Sequence, residues 1–405
     1  MDFKKIEGGV CAAKGFLCNG VHCGIRKNKS KKDLALVVAE KRCAAAAVYT
    51  QNLVKGAPIA VTKRHIADGY AQAIVVNSGN ANTCNAGGEQ VAEEMCALVE
   101  QYTGIAKNDV IVASTGVIGQ PLDISPVAGG MGQLAEGLGK HNDAANEAIM
   151  TTDTVKKQTA IEFSLGGKKC VIGCMAKGSG MIHPNMATML VFVTTDVDIS
   201  PEMLQKALSE DVKTSFNMIS IDGDTSTNDM LCVMASGLAG NARIAEENED
   251  YRAFAAALNA VTVDMCKRIA KDGEGATKLL ECNVTGAKTK EDAVKAAKGV
   301  ITSSLFKAAM FGADANWGRV LCAVGYSGAD TDVEKIGVSF SSKAGKITVC
   351  EKGAGVPFSE ETAKTVLSEE EIVIDITLQD GAFSATAWGC DLTYDYVKIN
   401  GDYRT

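Results

Sequence analysis

The stretch Lys177–Asp196, "KGSGMIHPNMATMLVFVTTD", sets a polar, glycine-rich loop directly against an apolar run. The loop carries Lys177, Gly178, Ser179, Gly180, His183, Pro184 and Asn185, and Met189–Val193 reads as a buried strand. Thr188 stands between them. A threonine hydroxyl is a weak nucleophile until a base sits beside it, and a freed α-amino group is such a base. Scission of the Ala187–Thr188 bond would give Thr188 that amine at the tip of a rigid strand. Base and nucleophile would then belong to one residue. Read locally, a plain strand-starting threonine is an equal alternative. His183 reads as structural, or as an aid to cleavage, and not as a base.

Working outward, 405 residues suffice for two or three domains with a large core. A 46% hydrophobic and 22% charged composition is that of an ordinary globular chain. Net charge is -8, and no basic patch stands out, so nucleic acid is not an expected partner. The densest basic cluster, "RKNKSKKD" at Arg26–Asp33, reads as a solvated loop between two strands. The first residues lack a signal-peptide or transit-peptide pattern. No window approaches the roughly 18 uninterrupted apolar residues of a membrane span, so no membrane association is expected. Fourteen cysteines are scattered singly, with no CxxC pair. Most read as small buried hydrophobes in a reducing cytoplasm. The four histidines stand far from paired thiols, so a zinc site is not expected.

"DLALVVAE" (33–40), "AQAIVVNSGN" (71–80) and "DVIVAST" (109–115) read as strands. The second ends in a polar loop, "NSGNANTCNAGGEQ", and a helix is predicted over 89–102. Val91, Met95, Leu98, Val99 and Tyr102 line one face of it. Ser200 with Pro201 predicts a helix start, and Thr289 with Asp292 resembles a capping box. "EEIVIDITLQDGAFSATAWGCDL" predicts a hairpin turning at Asp380–Gly381. "LTYDYVKI" (392–399) reads as a further strand. Strands and helices mix without a strict alternation, which predicts an α/β or α+β layered sandwich with helices outside the sheets. The polar "ECNVTGAKTKED" suggests a boundary near residue 280.

The Lys177–Asp196 stretch closely resembles the self-cleavage site of the ornithine acetyltransferase family of arginine biosynthesis. "KKDLALVVAEKRCAAAAVYTQNLVKGAPI", "VVNSGNANTCNAG", "ASTGVIG", "MTTDT", "DGDTSTNDM", "KDGEGATK", "FGADANWGRV" and "YVKINGDYRT" look like further blocks of that family, in family order. Together these blocks cover the chain. The resemblance implies an N-terminal-nucleophile aminopeptidase-like fold, cut into chains 1–187 and 188–405 that assemble as an α2β2 heterotetramer. It implies a main sandwich over about 1–280 and a smaller α/β domain, 281–405, returning to the active site. Thr188 would be the nucleophile, and Thr115 with Gly116 the oxyanion hole. Lys177 and Glu274 would be charged substrate contacts, facing an α-carboxylate and the ornithine ammonium. Thr151, Asn400 and Thr405 would be polar contacts, with Thr152 beside Thr151 as an alternative. The implied reaction is a ping-pong transfer of acetyl from N-acetyl-L-ornithine to L-glutamate, with no metal or organic cofactor. Some members of the family also use acetyl-CoA as donor.

Three rival readings remain open at the level of sequence. A related N-terminal-nucleophile amidase would pass the acyl group to water. A metal-binding phosphate enzyme would use Asp222, Asp224 and Asp229 of "DGDTSTND" as oxygen donors. A non-catalytic amino-acid-binding protein would keep the Ala187–Thr188 bond intact.

Overall fold

The computed structural model describes residues 3–183 and 189–402. The chain forms two compact units. The first comprises Met1–Gly178, Asn185–Phe216 and Thr225–Met265; the second comprises Ser179–Pro184, Asn217–Asp224 and Cys266–Thr405. The second unit therefore begins ahead of the polar stretch near 280 and takes in two segments from earlier in the chain.

In chain order the strands are β1 (Lys4–Ile6), β2 (Phe16–Val21), β3 (Leu34–Tyr49), β4 (Tyr70–Asn80), β5 (Val110–Val117), β6 (Lys157–Leu165), β7 (Lys168–Lys177) and β8 (Leu190–Thr195). Then follow β9 (Ile219–Ser220), β10 (Met230–Ala235), β11 (Leu279–Ala287), β12 (Gly337–Ser342), β13 (Gly345–Glu351), β14 (Ala354–Gly355), β15 (Glu371–Thr377) and β16 (Phe383–Cys390).

The first unit holds a mixed sheet ordered β1-β6-β7-β8-β10-β3-β4-β5, with β2 also on β3. Its middle strands β8 and β10 are buried along their whole length without alternation because both faces are covered. One face buries Val37, Ile74, Ile111 and Phe192 with Ala145, Ala148 and Ile149 of the helix Asn142–Ile149. The other buries Leu36, Val75 and Val112 against Met95, Val99, Val127 and Leu134. Each such side chain contributes roughly 1.5–3 kcal/mol of burial. Strand β3 runs on past Glu40, where the charged Glu40–Arg42 predicted an end. Its pairing with β4 shifts register between Val38 and Cys43, which lets the charged residues face solvent and the strand resume. The helix Gly88–Thr103 buries Met95 and Val99 as expected, and Ala92 and Cys96 complete its inner face. Tyr102 instead lies 45% exposed at the rim, its ring edge near Gly132.

The second unit holds the sheet β14-β13-β12-β15-β11-β16-β9, with the helix Lys290–Thr302 packed on β11 and β16. The predicted hairpin of β15 and β16 does not form. Strand β11 lies between them, parallel to β15 and antiparallel to β16. The N–H groups of Asp380 and Gly381 donate to the Gly286 carbonyl at 2.7 and 2.8 Å, so the connection crosses the end of β11. Leu280, Cys282 and Val284 of β11 are fully buried, as a strand with two neighbours requires. An Asp-Gly turn marks where the chain reverses; it does not decide which strand the returning segment pairs with. Residues 392–399 are likewise no strand: Tyr394–Gly401 is a helix, capped by the Thr393 hydroxyl accepting from the Tyr396 N–H. That local hydrogen bond, with Asp395 in the first turn, outweighs the β-branched pattern.

The predicted caps are present: Ser200 accepts from the Met203 N–H and Thr289 from the Asp292 N–H. The Arg26–Asp33 cluster lies in the connection between β2 and β3. Most cysteines are buried, with Cys84 and Cys322 exposed and Cys23 half-buried. Each unit is thus a sheet with helices layered on it. Among the described residues no helix is long and apolar enough to cross a membrane.

Candidate active site

In the first unit, β4 and β5 run parallel with Ser78 opposite Thr115 and Gly79 opposite Gly116. Gly116 has φ 132°, and a Cβ there would lie 2.6 Å from the Asn80 nitrogen and 2.7 Å from the Gly79 oxygen. Only glycine allows the two strand ends to come this close. The adjacent Thr115 is half-buried, and its hydroxyl has no hydrogen-bond partner among the described residues. Asn228 braces this strand end. Its Nδ2 donates to the carbonyls of Ala81 (2.6 Å) and Ser114 (2.9 Å), and its Oδ1 accepts from the Thr83 hydroxyl at 2.6 Å. The Ser114 hydroxyl donates to Asn77 Oδ1 at 2.6 Å. A hydroxyl and a backbone N–H held this firmly are donors suited to developing negative charge.

Lys177 ends β7 and is buried; it pairs with Leu190, the first residue of β8, which in turn pairs with Met230 of β10. Two buried carboxylates feel its charge. Asp153 accepts from Lys157 Nζ at 2.7 Å, from the Gly178 N–H at 2.7 Å and from the Thr151 N–H at 2.9 Å. Burial works against its ionisation, but the ammonium groups of Lys157 and Lys177 and these hydrogen bonds hold its carboxyl well below the usual range. Asp229 is opposite in character. Burial pushes its carboxyl well above the usual range, against the pull of Ser226 and Lys177. Its Oδ2 has no hydrogen-bond partner among the described residues. Thr151 and Thr152 are both half-buried, and the Arg26 guanidinium donates to the carbonyl of Met150 just before them.

In the second unit, Glu274 is buried rather than a solvent-exposed turn residue. Its N–H donates to the Ser179 carbonyl at 2.8 Å, and Asn400 Nδ2 donates to its Oε2 at 2.7 Å. Gly180 leaves room for the carboxylate, since a Cβ there would overlap it. Gly275 at φ 68° lets the helix Tyr394–Gly401 approach, with the Thr393 hydroxyl donating to its carbonyl at 2.7 Å. Asp222 orders the glycine-rich loop by accepting from the N–H groups of Met181 (2.5 Å) and Ile182 (2.9 Å).

His183 Nδ1 lies 3.1 Å from the Ser220 hydroxyl. Burial, aided by Lys298, lowers its pKa to about 4, so it is neutral near pH 7 and only weakly basic. Between an ordinary value of about 6.5 and this one, the unfolded chain takes a proton that the folded chain refuses. This contribution to stability is whole above about pH 6.5 and declines as pH falls toward 4. Denaturant midpoints measured from pH 7 to 4.5 are expected to fall less steeply in His183→Gln than in the wild type.

Thr151 and Lys177 are thus brought to one buried carboxylate, Thr115 and Gly116 close a braced strand end, and Glu274 and Asn400 share a hydrogen bond. Ala187, Thr188 and Thr405 lie outside the described residues. Of the aspartates in the metal reading, Asp222 accepts from two backbone N–H groups and belongs to the second unit, while Asp229 belongs to the first. Among the described residues no three His, Cys, Asp or Glu side chains gather as a metal site would need. Sequence reasoning passed over Asp153, Lys157 and Asn228, and weighed Asp229 only as a metal donor. For Asp153 and Asn228 the one signal was membership in the polar blocks "MTTDT" and "DGDTSTNDM"; Lys157 lies outside both.

The family model described as the ArgJ family matches residues 17–405. The chain belongs to the ArgJ family. An ArgJ-family relative, the arginine biosynthesis bifunctional protein ArgJ of Symbiobacterium thermophilum, is 53% identical over 405 residues, covering 99% of each chain. A crystal structure of the protein of the same name from Bacillus halodurans is 47% identical with a TM-score of 0.50, covering 52% of this chain and 97% of that one. A crystal structure of ornithine acetyltransferase complexed with ornithine, from Mycobacterium tuberculosis, is 34% identical with a TM-score of 0.43, covering 46% of this chain and 100% of that one. ArgJ-family membership makes the chain an enzyme, an acyltransferase of arginine biosynthesis.

Proposed function

We propose that this chain cuts itself between Ala187 and Thr188 and then moves acetyl from N-acetyl-L-ornithine to L-glutamate by a ping-pong route. The observation that supports the reading is the buried Lys177, whose neighbour Gly178 is tied with Thr151 to the one carboxylate of Asp153, a cation and a polar group of the kind an α-carboxylate needs. Both substrates carry one. The solved B. halodurans chain, which matches only 52% of this chain over 97% of its own length, is also what a protein divided into two chains would give.

The Thr188 hydroxyl attacks the acetyl carbonyl, and its own α-amino group takes the proton. Thr115 and Gly116 hold the oxyanion; one such donor is worth about 3 kcal/mol of barrier. The amide C–N bond breaks, the proton passes to the leaving amine, and ornithine departs from an acetyl-threonine ester. The amine of glutamate then attacks the ester, and Thr188 is restored. The ester itself carries the acetyl group, so the transfer requires no cofactor. Glu274, oriented by Asn400, attracts the ornithine side-chain ammonium, and Thr405 adds a polar contact. Acetyl-CoA as an alternative acetyl donor, which the family resemblance allows, is tested by formation of N-acetylglutamate from acetyl-CoA and glutamate alone. The two chains of two precursors form an α2β2 heterotetramer in the cytoplasm, and light scattering of the cleaved protein at micromolar concentration checks the assembly.

Incubation with N-acetylornithine, with and without glutamate, tests the reaction. Ornithine release is expected to depend on glutamate; equal release in its absence would make water the acceptor and the protein an amidase. Asn400→Ala tests the binding of the ammonium end. A hydrogen bond to a charged group is worth about 1.5–3 kcal/mol, so KM for N-acetylornithine is expected to rise tenfold or more while chain cleavage is unchanged. An unaltered KM would remove Asn400 from the site.

A further inference from the structure

Asp153 lies outside every role assigned above, yet three elements converge on it. Lys157, the first residue of β6, is fully buried and pairs with Ala176 of β7. Asn146 secures that corner: its Oδ1 accepts from the Lys157 N–H at 2.9 Å, and its Nδ2 donates to the carbonyls of Lys157 (3.0 Å) and Ala176 (3.2 Å). From there the Lys157 ammonium reaches Asp153 Oδ1, which also accepts the Gly178 N–H next to Lys177. The other oxygen, Oδ2, accepts the Thr151 N–H. One carboxylate therefore clamps the backbone at Thr151 and at the end of β7.

A buried ion pair is a poor source of stability, because desolvation offsets the attraction; a well-packed apolar replacement is often as stable. What such a pair supplies is definite geometry. Here it also sets the local charge. Lys157 offsets the charge of Asp153, and burial holds Asp229, which also feels Lys177, toward its neutral form.

We propose that Asp153 is a positioning residue of the acyl-transfer site, holding Thr151 and Lys177 at the separation at which one substrate α-carboxylate meets both. The proposal rests on the acetyl-transfer reading. A misplacement of about 1 Å can cost on the order of a hundredfold in rate, so the clamp has a large effect to exert.

Asp153→Asn alone leaves the Lys157 ammonium buried without a counter-charge and can fail to fold. The informative variant is therefore Asp153→Asn with Lys157→Met, which removes both charges and keeps an acceptor for the Gly178 N–H. Asp153→Glu, which keeps the charge and lengthens the arm, is measured beside it. Both are expected to unfold within a few degrees of the wild type and to be cut normally. KM for N-acetylornithine and for glutamate is expected to rise tenfold or more, with a smaller change in kcat. Lys177→Met is expected to raise KM by a similar factor alone and to add little in the double-variant background. Wild-type KM in either folded variant, or full additivity with Lys177→Met, would overturn the proposal. Failure of the underlying reading looks different: a wild-type protein that binds neither substrate by calorimetry removes that reading and this proposal together.

Discussion

Thr188→Ala is expected to run as one full-length chain on a denaturing gel and to transfer no measurable acetyl group. The wild type, by contrast, is expected to separate into residues 1–187 and 188–405, with Thr188 as the new N-terminus by mass. Alanine lacks the hydroxyl that both steps need, since the same oxygen must attack the Ala187 carbonyl in the precursor and the acetyl carbonyl in the mature enzyme. Loss of a covalent nucleophile removes at least about 10⁴-fold in kcat in enzymes of this logic. Thr188→Ser keeps hydroxyl and amine and is expected to cleave and turn over, though more slowly. Finding the wild type uncut and fully active would end the nucleophile assignment and favour an intact binding protein.

Gly116→Ala is expected to lower kcat by about 10²–10³-fold, the usual cost of losing one oxyanion donor. The alanine Cβ would fall 2.6 Å from the Asn80 nitrogen and 2.7 Å from the Gly79 oxygen. These are backbone atoms of a strand with both faces packed, so relief comes only by prising β5 from β4. That shift moves the Thr115 hydroxyl and disturbs the Asn228 hydrogen bonds to Ala81 and Ser114. A φ of 132° adds strain for any side chain, and a stability loss of roughly 1–3 kcal/mol is expected with it. Thr115→Val separates the two effects: it removes the hydroxyl without straining Gly116, and should lower kcat about a hundredfold at nearly unchanged stability. Steady-state kinetics beside denaturant unfolding read both. A folded Gly116→Ala enzyme with wild-type kcat would remove this strand end from the reaction.

Much of the molecule is legible in the order and type of its residues, and for physical reasons. Periodicity reports burial of a local segment, so β4, the helix Gly88–Thr103 and the apolar run after Thr188 are readable from residue spacing alone. Caps are local as well, which is why Ser200 and Thr289 mark their helix starts correctly. Thr188 stands out in the sequence because a small hydroxyl residue sits between a glycine-rich loop and an apolar run, whereas the roles proposed for Thr115 and Gly116 come from the family resemblance. Pairing is another matter. No local signal distinguishes a hairpin from two strands separated by a third, so only the tertiary structure shows β11 inserted between β15 and β16, with Leu280, Cys282 and Val284 buried. Residues 392–399 pattern like a strand but find no ladder partner, and the Thr393 cap makes them a helix. Buried charge is the least legible feature. A lysine in sequence looks solvated, and only the convergence of β6, β7 and the segment around Thr151 shows Lys157 and Asp153 neutralising each other out of water. Composition, local periodicity and the special residues at strand ends were therefore determined by the sequence itself. Strand order, the depth of Lys177 and Glu274, and the hydrogen bonds of Asp153 to Gly178 and of Asn400 to Glu274 were decided only by the tertiary structure, because burial and hydrogen bonding of this kind depend on residues distant in the chain.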